Sequence, residues 1–338
     1  MFKTIIAYRL DPSSGSAFAS VQQLEEALEL SQFVPCTPTQ GESFGWIEPR
    51  GEANGPLVER VGGQIVLRMK AEHRVVPGAA VTQELNLHLD KIEKETGRRL
   101  KGKAKKDLKD EVQHSLLVRA FSKFSVTTVW IDPATNLLVA GVGSIRKGDA
   151  VINALAVALE RVGQPVFKAR PVSTRESPAS VMAHWLREQE APSGFTIDRE
   201  CELKDNEGNA AVRYSAHSLD IMEIGEHIKD GKAPTKLAMS WGDKVSFMLT
   251  DDLVIKKIKM LDVALENKGS ATEPANAGAD GFEADIAIVT GVLATMLPEL
   301  FEALGGESDA DSSEGSDAGT ADGEPEVAAV ANREAATA

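Results

Sequence analysis

The chain has 338 residues, of which 42% are hydrophobic, and its 51 acidic and 37 basic side chains give a formal net charge of −14. That length and apolar content are enough for two or three compact units with hydrophobic cores. No run of eighteen apolar residues occurs and the first residues lack a cleavage pattern, so we expect neither a membrane span nor a signal peptide.

The first hundred residues alternate between strand and helix patterns. Apolar spacings predict a strand, a helix, two short strands and a second helix, in that order, at residues 4–8, 17–30, 44–47, 64–70 and 78–96. Gly97 follows the second helix, at a position where glycine commonly ends a helix.

A further helix is predicted to begin at Asp107, which would cap it. Its apolar rows continue to Phe124, because Leu117, Phe121 and Phe124 have helical spacing. Together with the helix at 78–96 it would form an antiparallel hairpin whose connection carries many lysines.

The rest of the chain reads as strands interrupted by single helices. Strands are predicted at 125–131, 137–142, 166–170, 236–241, 245–250 and 254–260, and helices at 148–162, 177–189, 223–229 and 282–304. Residues 269–281 read as a linker. The last helix is apolar and is expected to pack on a core or on a partner subunit, with Pro298 kinking or shortening it.

These patterns predict an α+β fold with mixed sheets, flanking helices and a protruding helical hairpin. We expect a central α+β region from residues 1–76 and 118–175, with a helical tip at 77–117. A C-terminal α+β region at 176–306 would end in a dimerisation helix. Residues 307–338 contain nine acidic residues, one arginine and no aromatic residue, so this tail is expected to be disordered.

Positive charge is concentrated in one short segment of this acidic chain. Residues 98–109 contain seven basic side chains and one acid, Asp107. Such a cluster is typical of phosphate contacts, although an ordinary solvated connection is the alternative. The candidate nucleic-acid contacts here are Arg98, Arg99, Lys101, Lys103, Lys105, Lys106 and Lys109.

Two further groups of basic residues are candidate contacts. Arg119 and Lys123 would share a helix stripe beside Phe121, where basic and aromatic side chains suit phosphate and base contacts. The alternative is a solvated helix edge with Phe121 in the core. In the last meander strand, Lys257 and Lys259 would share a face with Ile255 and could join Lys236, although an ordinary exposed sheet face is an equally good interpretation.

Catalytic and metal-binding patterns are weak. The six histidines lack metal-ligand spacing, and Gly141-Val142-Gly143 with Gly148 is only part of a nucleotide loop. Cys36 and Cys201 are expected to be free thiols in a reducing cytoplasm. With no acid pair or nucleophile elbow identifiable, we expect no enzymatic activity, no cofactor and no metal.

The order of these elements resembles the RdgC family of bacterial recombination-associated proteins, over about residues 1–306. The densest similarity runs from Lys109 to Ser122 and continues to Asp132. Other matching segments are Pro35-Cys36, Gly45-Trp46, Gly63-Gln64-Ile65-Val66, His227-Ile228, Gly231-Lys232, Thr235-Lys236-Leu237-Ala238, Asp251-Asp252, Phe282, Ala284-Asp285, Thr290-Gly291 and Leu304-Gly305-Gly306.

The resemblance implies a ring-shaped homodimer whose positive central hole encircles double-stranded DNA without marked sequence preference. It implies restraint of the RecA recombinase by competition for DNA, and a cytoplasmic, nucleoid-associated protein. It makes Arg119 and Phe121 DNA-side residues, with Lys123 as a basic equivalent. Ala216-His217-Ser218-Leu219 departs from the basic pattern usual in the family, which puts one phosphate contact in doubt. The alternative function is a module that inhibits a recombinase by direct protein contact.

Overall fold

A computed structural model of the chain describes residues 2–164, 167–205, 208, 210–266 and 279–308. Most of the predicted linker at 269–281 and nearly all of the predicted acidic tail lie outside the described residues, as does the beginning of the strand predicted at 166–170.

Twelve strands and eight α-helices form the described part of the chain. The strands are β1 (Thr4–Leu10), β2 (Glu42–Ile47), β3 (Glu59–Val61), β4 (Gln64–Val75), β5 (Phe121–Asp132), β6 (Leu137–Ala140), β7 (Ala169–Pro171), β8 (Phe195–Asp205), β9 (Ala211–Ser215), β10 (Lys232–Trp241), β11 (Val245–Thr250) and β12 (Ile255–Met260). The helices are α1 (Val21–Glu29), α2 (Gly78–Thr96), α3 (Gly102–Leu117), α4 (Ile145–Arg161), α5 (Pro178–Glu188), α6 (Met222–Lys229), α7 (Asp262–Glu266) and α8 (Ala279–Ala303).

The strands form one open sheet in the order β2-β4-β5-β6-β1-β12-β11-β10-β8-β9, with β3 on β4 and β7 on β1. The α+β class is therefore confirmed, but the sheet is antiparallel in all these pairings rather than mixed. Strands β4 and β5 are consecutive strands of the chain, and the helices α2 and α3 inserted between them leave and re-enter the sheet at the same end of the two strands. That connection makes the pair antiparallel.

Helices cover both faces of the middle of the sheet. Ile5 and Trp130 point into one core, which includes α5 and α8, whereas Ile6 and Val129 point into the other, which includes α1 and α4. Successive side chains of a strand point to opposite faces, so a strand covered on both sides is apolar along its length. This is why β1 and β6 contain nearly continuous apolar runs, and why β5 is continuously apolar only at Val129-Trp130-Ile131, where it is buried.

Helix α8 packs its apolar face into the first of these cores. Ile286, Leu293 and Leu297 are buried, which confirms the core interpretation of the last helix. By length and composition residues 281–303 are apolar enough to cross a membrane, a property shared by core helices of globular proteins. Pro298 lies within α8 and does not end it, so the predicted shortening is wrong.

The predicted helix from Asp107 to Phe124 is partly wrong. Helix α3 begins at Gly102 and ends at Leu117, and Phe121 begins β5. Strand β5 pairs with β4 from Val75–Phe121 onward. Such ladder pairing overrides a local helical spacing when the residues are aromatic or β-branched. Strands β8 and β9 were not predicted, because charged residues interrupt their apolar alternation.

Gly148 has a packing role rather than a nucleotide-binding one. A Cβ atom at this position would lie 1.7 Å from the hydroxyl oxygen of Tyr8. Tyr8 is fully buried in the core beneath α4, and its hydroxyl lies 3.5 Å from both the Ile145 carbonyl oxygen and an Asp149 carboxylate oxygen. Glycine is therefore required for α4 to approach β1 closely.

Candidate nucleic-acid interface

The predicted helical hairpin is confirmed and is carried by the two longest described strands. Strands β4 and β5 have 12 residues each, and α2 and α3 are inserted between them. The two helices pack chiefly on each other through an apolar seam that includes Leu85, Leu89 and Val112. The hairpin therefore protrudes from the sheet, and its far end is the short connection from Gly97 to Lys101.

The basic residues of this far end are all exposed. We call residues 98–109 the basic tip. Arg98, Arg99 and Lys101 lie in the connection, whereas Lys103, Lys105, Lys106 and Lys109 lie on α3. The prediction that the connection carries the lysines was thus wrong for most of them, because α3 begins five residues earlier than Asp107.

One cation of the basic tip forms ion pairs with described residues. The Arg99 guanidinium lies 3.0 Å from a Glu93 carboxylate oxygen and 3.4 Å from one of Asp90. The other six cations form no ion pair with any residue that the structure describes. Exposed ion pairs contribute little to stability, but they reduce the net positive charge available to bind a ligand.

The first turn of α3 has an unusual charge. It contains Lys103 and Lys105 but no acid, and no side chain caps its N-terminus. A helix N-terminus has a partial positive charge and free N–H groups, so lysines there are unfavourable by roughly 0.3–1 kcal/mol each. Backbone and side chains together create a local positive field suited to an anion.

Arg119, Phe121 and Lys123 do not share a helix stripe, so that prediction was wrong. Arg119 lies in the turn after α3, while Phe121 and Lys123 lie two residues apart on β5 and so share one face. All three are exposed, and Phe121 is 89% exposed. The interpretation of Phe121 as a core residue is thereby excluded.

The first half of β5 also has a free edge. Strand β6 pairs with β5 only from Val129 onward, so within the described residues 121–127 have a ladder partner only on the β4 side. Phe121, Phe124 and Val126 are all more than half exposed along this edge. An open strand edge with exposed aromatic residues is a surface to which another strand can add.

Lys236 is held by a buried carboxylate. Its ammonium nitrogen lies 3.0 Å from both carboxylate oxygens of Glu202. Glu202 Oε2 also accepts from Arg213, and Glu202 Oε1 lies 3.4 Å from the Lys204 ammonium nitrogen. Burial opposes ionisation of Glu202, but the hydrogen bonds and charges of Arg213 and Lys236 outweigh it and lower its pKa to about 2. This cluster was missed in the sequence, because neither β8 nor β9 was recognised as a strand.

Lys257 is also paired. Its ammonium nitrogen lies 2.6 Å from a Glu200 carboxylate oxygen. Lys257 has a φ of 53° and sits at an irregularity in the β11–β12 pairing. This bulge shifts the alternation, so Ile255 and Ile258 are both buried while Lys257 and Lys259 are both exposed. The predicted face of Ile255, Lys257 and Lys259 is therefore wrong, and the basic sheet surface is interspersed with carboxylates.

His217 occupies the segment that departs from the family pattern. Its Nδ1 atom lies 2.7 Å from the Ser218 carbonyl oxygen, and its exposed ring lies 6.2 Å from that of Tyr214. Arg213, on the preceding strand β9, is paired with Glu202, and its side chain is 66% exposed.

Among the described residues, no group of three or more His, Cys, Asp or Glu side chains is placed to hold a metal ion. Cys36 and Cys201 are both free, as predicted, and both are buried.

The model of the family described as "Putative exonuclease, RdgC" matches residues 1–307. The chain belongs to the RdgC family. The Recombination-associated protein RdgC of Herminiimonas arsenicoxydans is 39% identical over 307 residues, which cover 90% of this chain and 98% of that protein. Those of Janthinobacterium sp. (strain Marseille) and Aeromonas hydrophila subsp. hydrophila are each 38% identical, and cover 90% and 85% of this chain and 98% and 93% of their own lengths. The resemblance read from the sequence is confirmed, and these relatives are named as recombination-associated proteins.

Proposed function

We propose that this chain is a non-enzymatic protein that binds double-stranded DNA without sequence specificity, closes around the duplex as a ring-shaped homodimer and limits the access of RecA recombinase. The observation that carries the proposal is the basic tip, an exposed and mostly unpaired cluster of cations at the end of a protruding hairpin, on a chain with a net charge of −14. An acidic protein can bind DNA when its positive charges are sorted onto one surface.

Phosphates, rather than base edges, are the ligands that suit the basic tip. Lysine binds phosphate as a point charge, and five of the seven cations of the basic tip are lysines. Arg119 and Lys123 extend the same charge toward the sheet. Lys259 is a further exposed candidate, whereas Lys236 and Lys257 are held by carboxylates and are weaker contacts.

A second copy of the chain is the occupant that we propose for the free edge of β5. A ring of two subunits needs two self-complementary contacts on one twofold axis. Phe124 and Val126, which share one face of β5 along the free edge, supply one apolar surface, and Phe121 is exposed on the opposite face. The outer face of α8, where Ala284 and Gly291 are exposed, supplies a second that allows close helix approach. These two surfaces support the homodimer.

The proposed limit on RecA access follows because the protein already occupies the DNA. A protein that surrounds the duplex covers the phosphates that a recombinase needs, so the two compete for the same DNA. The relatives named as recombination-associated support this process. A cytoplasmic and nucleoid-associated location is part of the same proposal.

Duplex titrations at several salt concentrations, paired with a measurement of oligomeric mass, test the proposal. We expect steeply salt-dependent binding, a dimeric mass, and slower dissociation from circular than from linear duplex, because an end allows a ring to slide off. Equal dissociation rates from both would contradict encirclement. Phe121→Ser should lower the dimeric fraction and remove the difference between circular and linear DNA, whereas Met222→Ser, at an exposed apolar position on α6, is the control.

Two other outcomes distinguish the alternatives. Binding to RecA without DNA, unchanged by high salt, would favour a direct protein contact over competition. Shortening of linear duplex in the presence of Mg²⁺ or Mn²⁺ would favour an exonuclease, the activity in the family description. We expect neither.

A further inference from the structure

The hairpin is joined to the sheet by two short connections. Residues 76–77 lead from β4 into α2, and residues 118–120 lead from α3 into β5. Because α2 and α3 pack chiefly on each other, their own apolar seam does not set the direction in which they leave the sheet. Contacts near the two connections must therefore set the direction of the hairpin.

Arg74, next to the end of β4, makes such contacts. Its guanidinium donates to the carbonyl oxygens of Leu117 at 3.4 Å, Pro38 at 3.2 Å and Cys36 at 3.3 Å. Leu117 is the last residue of α3, and its carbonyl oxygen, which also accepts the Ala120 N–H at 3.1 Å, lies at the negative end of the helix. One side chain therefore ties the end of the hairpin to the loop at 36–41.

The backbone reinforces this connection. The Arg74 N–H donates to the Gly41 carbonyl oxygen at 2.8 Å. A Cβ atom on Gly41 would lie 3.7 Å from a methyl group of Leu117, so the loop passes close to the end of α3. The loop acts as a fixed support for the base of the hairpin.

A buried carboxylate ties the second connection to the same place. Glu72 is only 3% exposed, accepts a hydrogen bond from the Cys36 N–H at 2.8 Å and another from the Ser122 hydroxyl. These bonds and the nearby Arg74 charge lower the pKa of Glu72 against the effect of burial. Ser122 is the second residue of β5, so β4, β5, the loop and α3 all meet at this cluster.

We propose that Arg74 is a positioning residue for DNA binding, which fixes the direction of the α2–α3 hairpin and so places the basic tip against the duplex. This inference rests on the proposed function. Arg74 itself is turned toward carbonyls at the base of the hairpin and does not belong to the basic tip, so its effect on DNA is indirect.

The direction of the hairpin can be measured without DNA. Spin labels at Lys103→Cys on α3 and Glu160→Cys on α4 report one distance, and both native cysteines are buried and protected from labelling. Dilution with unlabelled chain removes distances between subunits. We expect a narrow distribution in the parent protein and a broad one with Arg74→Ala. Arg74→Lys keeps the charge without the planar fork, and should broaden it less. Arg60→Ala, an exposed arginine on β3, is the control.

DNA binding separates positioning from direct contact. We expect Arg74→Ala to weaken duplex affinity about tenfold. In the free variant the hairpin would sample several directions, and binding would have to restore a single direction at an entropic cost. The slope of log affinity against log salt should stay unchanged, whereas loss of a phosphate contact would reduce it by about 0.9. A reduced slope, or a distance distribution as narrow as the parent's, would overturn the assignment. Should the parent itself fail to bind duplex, the proposed function fails, and the distance measurement still decides whether Arg74 holds the hairpin.

Discussion

Free and paired lysines should differ in their effect on the salt dependence of DNA binding. Lys103 and Lys105 are exposed on the basic tip and form no ion pair with described residues, whereas Lys236 and Lys257 are paired with Glu202 and Glu200. Changing either pair to glutamine alters the net charge of the chain equally. Any difference between the two double variants therefore reports position rather than total charge.

The expected magnitude follows from counterion release. Each cation that contacts phosphate adds about 0.9 to the slope of log affinity against log salt, so Lys103→Gln with Lys105→Gln should lower the slope by about 1.8 per bound tip. Between about 50 and 200 mM salt, a slope change of 1.8 corresponds to a roughly twelvefold difference in affinity. If both tips of a homodimer lie on the duplex, the decrease in slope doubles to about 3.6.

Fluorescence anisotropy titrations of a labelled duplex at four or more salt concentrations measure these slopes. The variant with Lys236→Gln and Lys257→Gln should keep the parent slope, since those ammonium groups already have carboxylate partners. Equal slopes for the tip variant and the parent protein would refute the tip as a contact. An equal decrease in both variants would refute the distinction between free and paired lysines.

Two further predictions concern stability. Gly148→Ala places a methyl group against the Tyr8 hydroxyl and should lower the unfolding free energy by about 2–3 kcal/mol. Gly225→Ala is the control, because a Cβ added there meets no atom within 4 Å. Equal melting temperatures for the two variants would contradict the prediction. Glu202→Gln should cost roughly 1–2 kcal/mol at pH 7, because Arg213 keeps access to water. The pKa of Glu202 falls from 4.5 to about 2 on folding, so its contribution is complete above pH 4.5 and is lost as the pH falls toward 2. Urea unfolding of both proteins at pH 7 and in acid should therefore show a shrinking difference, and a constant one would argue against a charged Glu202.

Much of the fold could be predicted from local patterns. The apolar spacings of α1, α2, α4 and α5 and the alternation of β10 and β11 each lie within one element, so the sequence contains the whole signal. Predictions failed where pairing partners decide the conformation. Residues 121–124 have helical spacing, yet they pair with β4, and the bulge at Lys257 depends on its pairing with β11.

The sequence by itself determined the family, the helical hairpin and the concentration of positive charge in residues 98–109, because these are properties of contiguous or ordered residues. Only the tertiary structure decided which cations are free. Lys257 and Glu200 are 57 positions apart, and Lys236 and Glu202 are 34 apart. Folding brings them within hydrogen-bonding distance, and no local pattern contains both partners. The same holds for Phe121, whose exposure depends on where β6 begins to pair with β5.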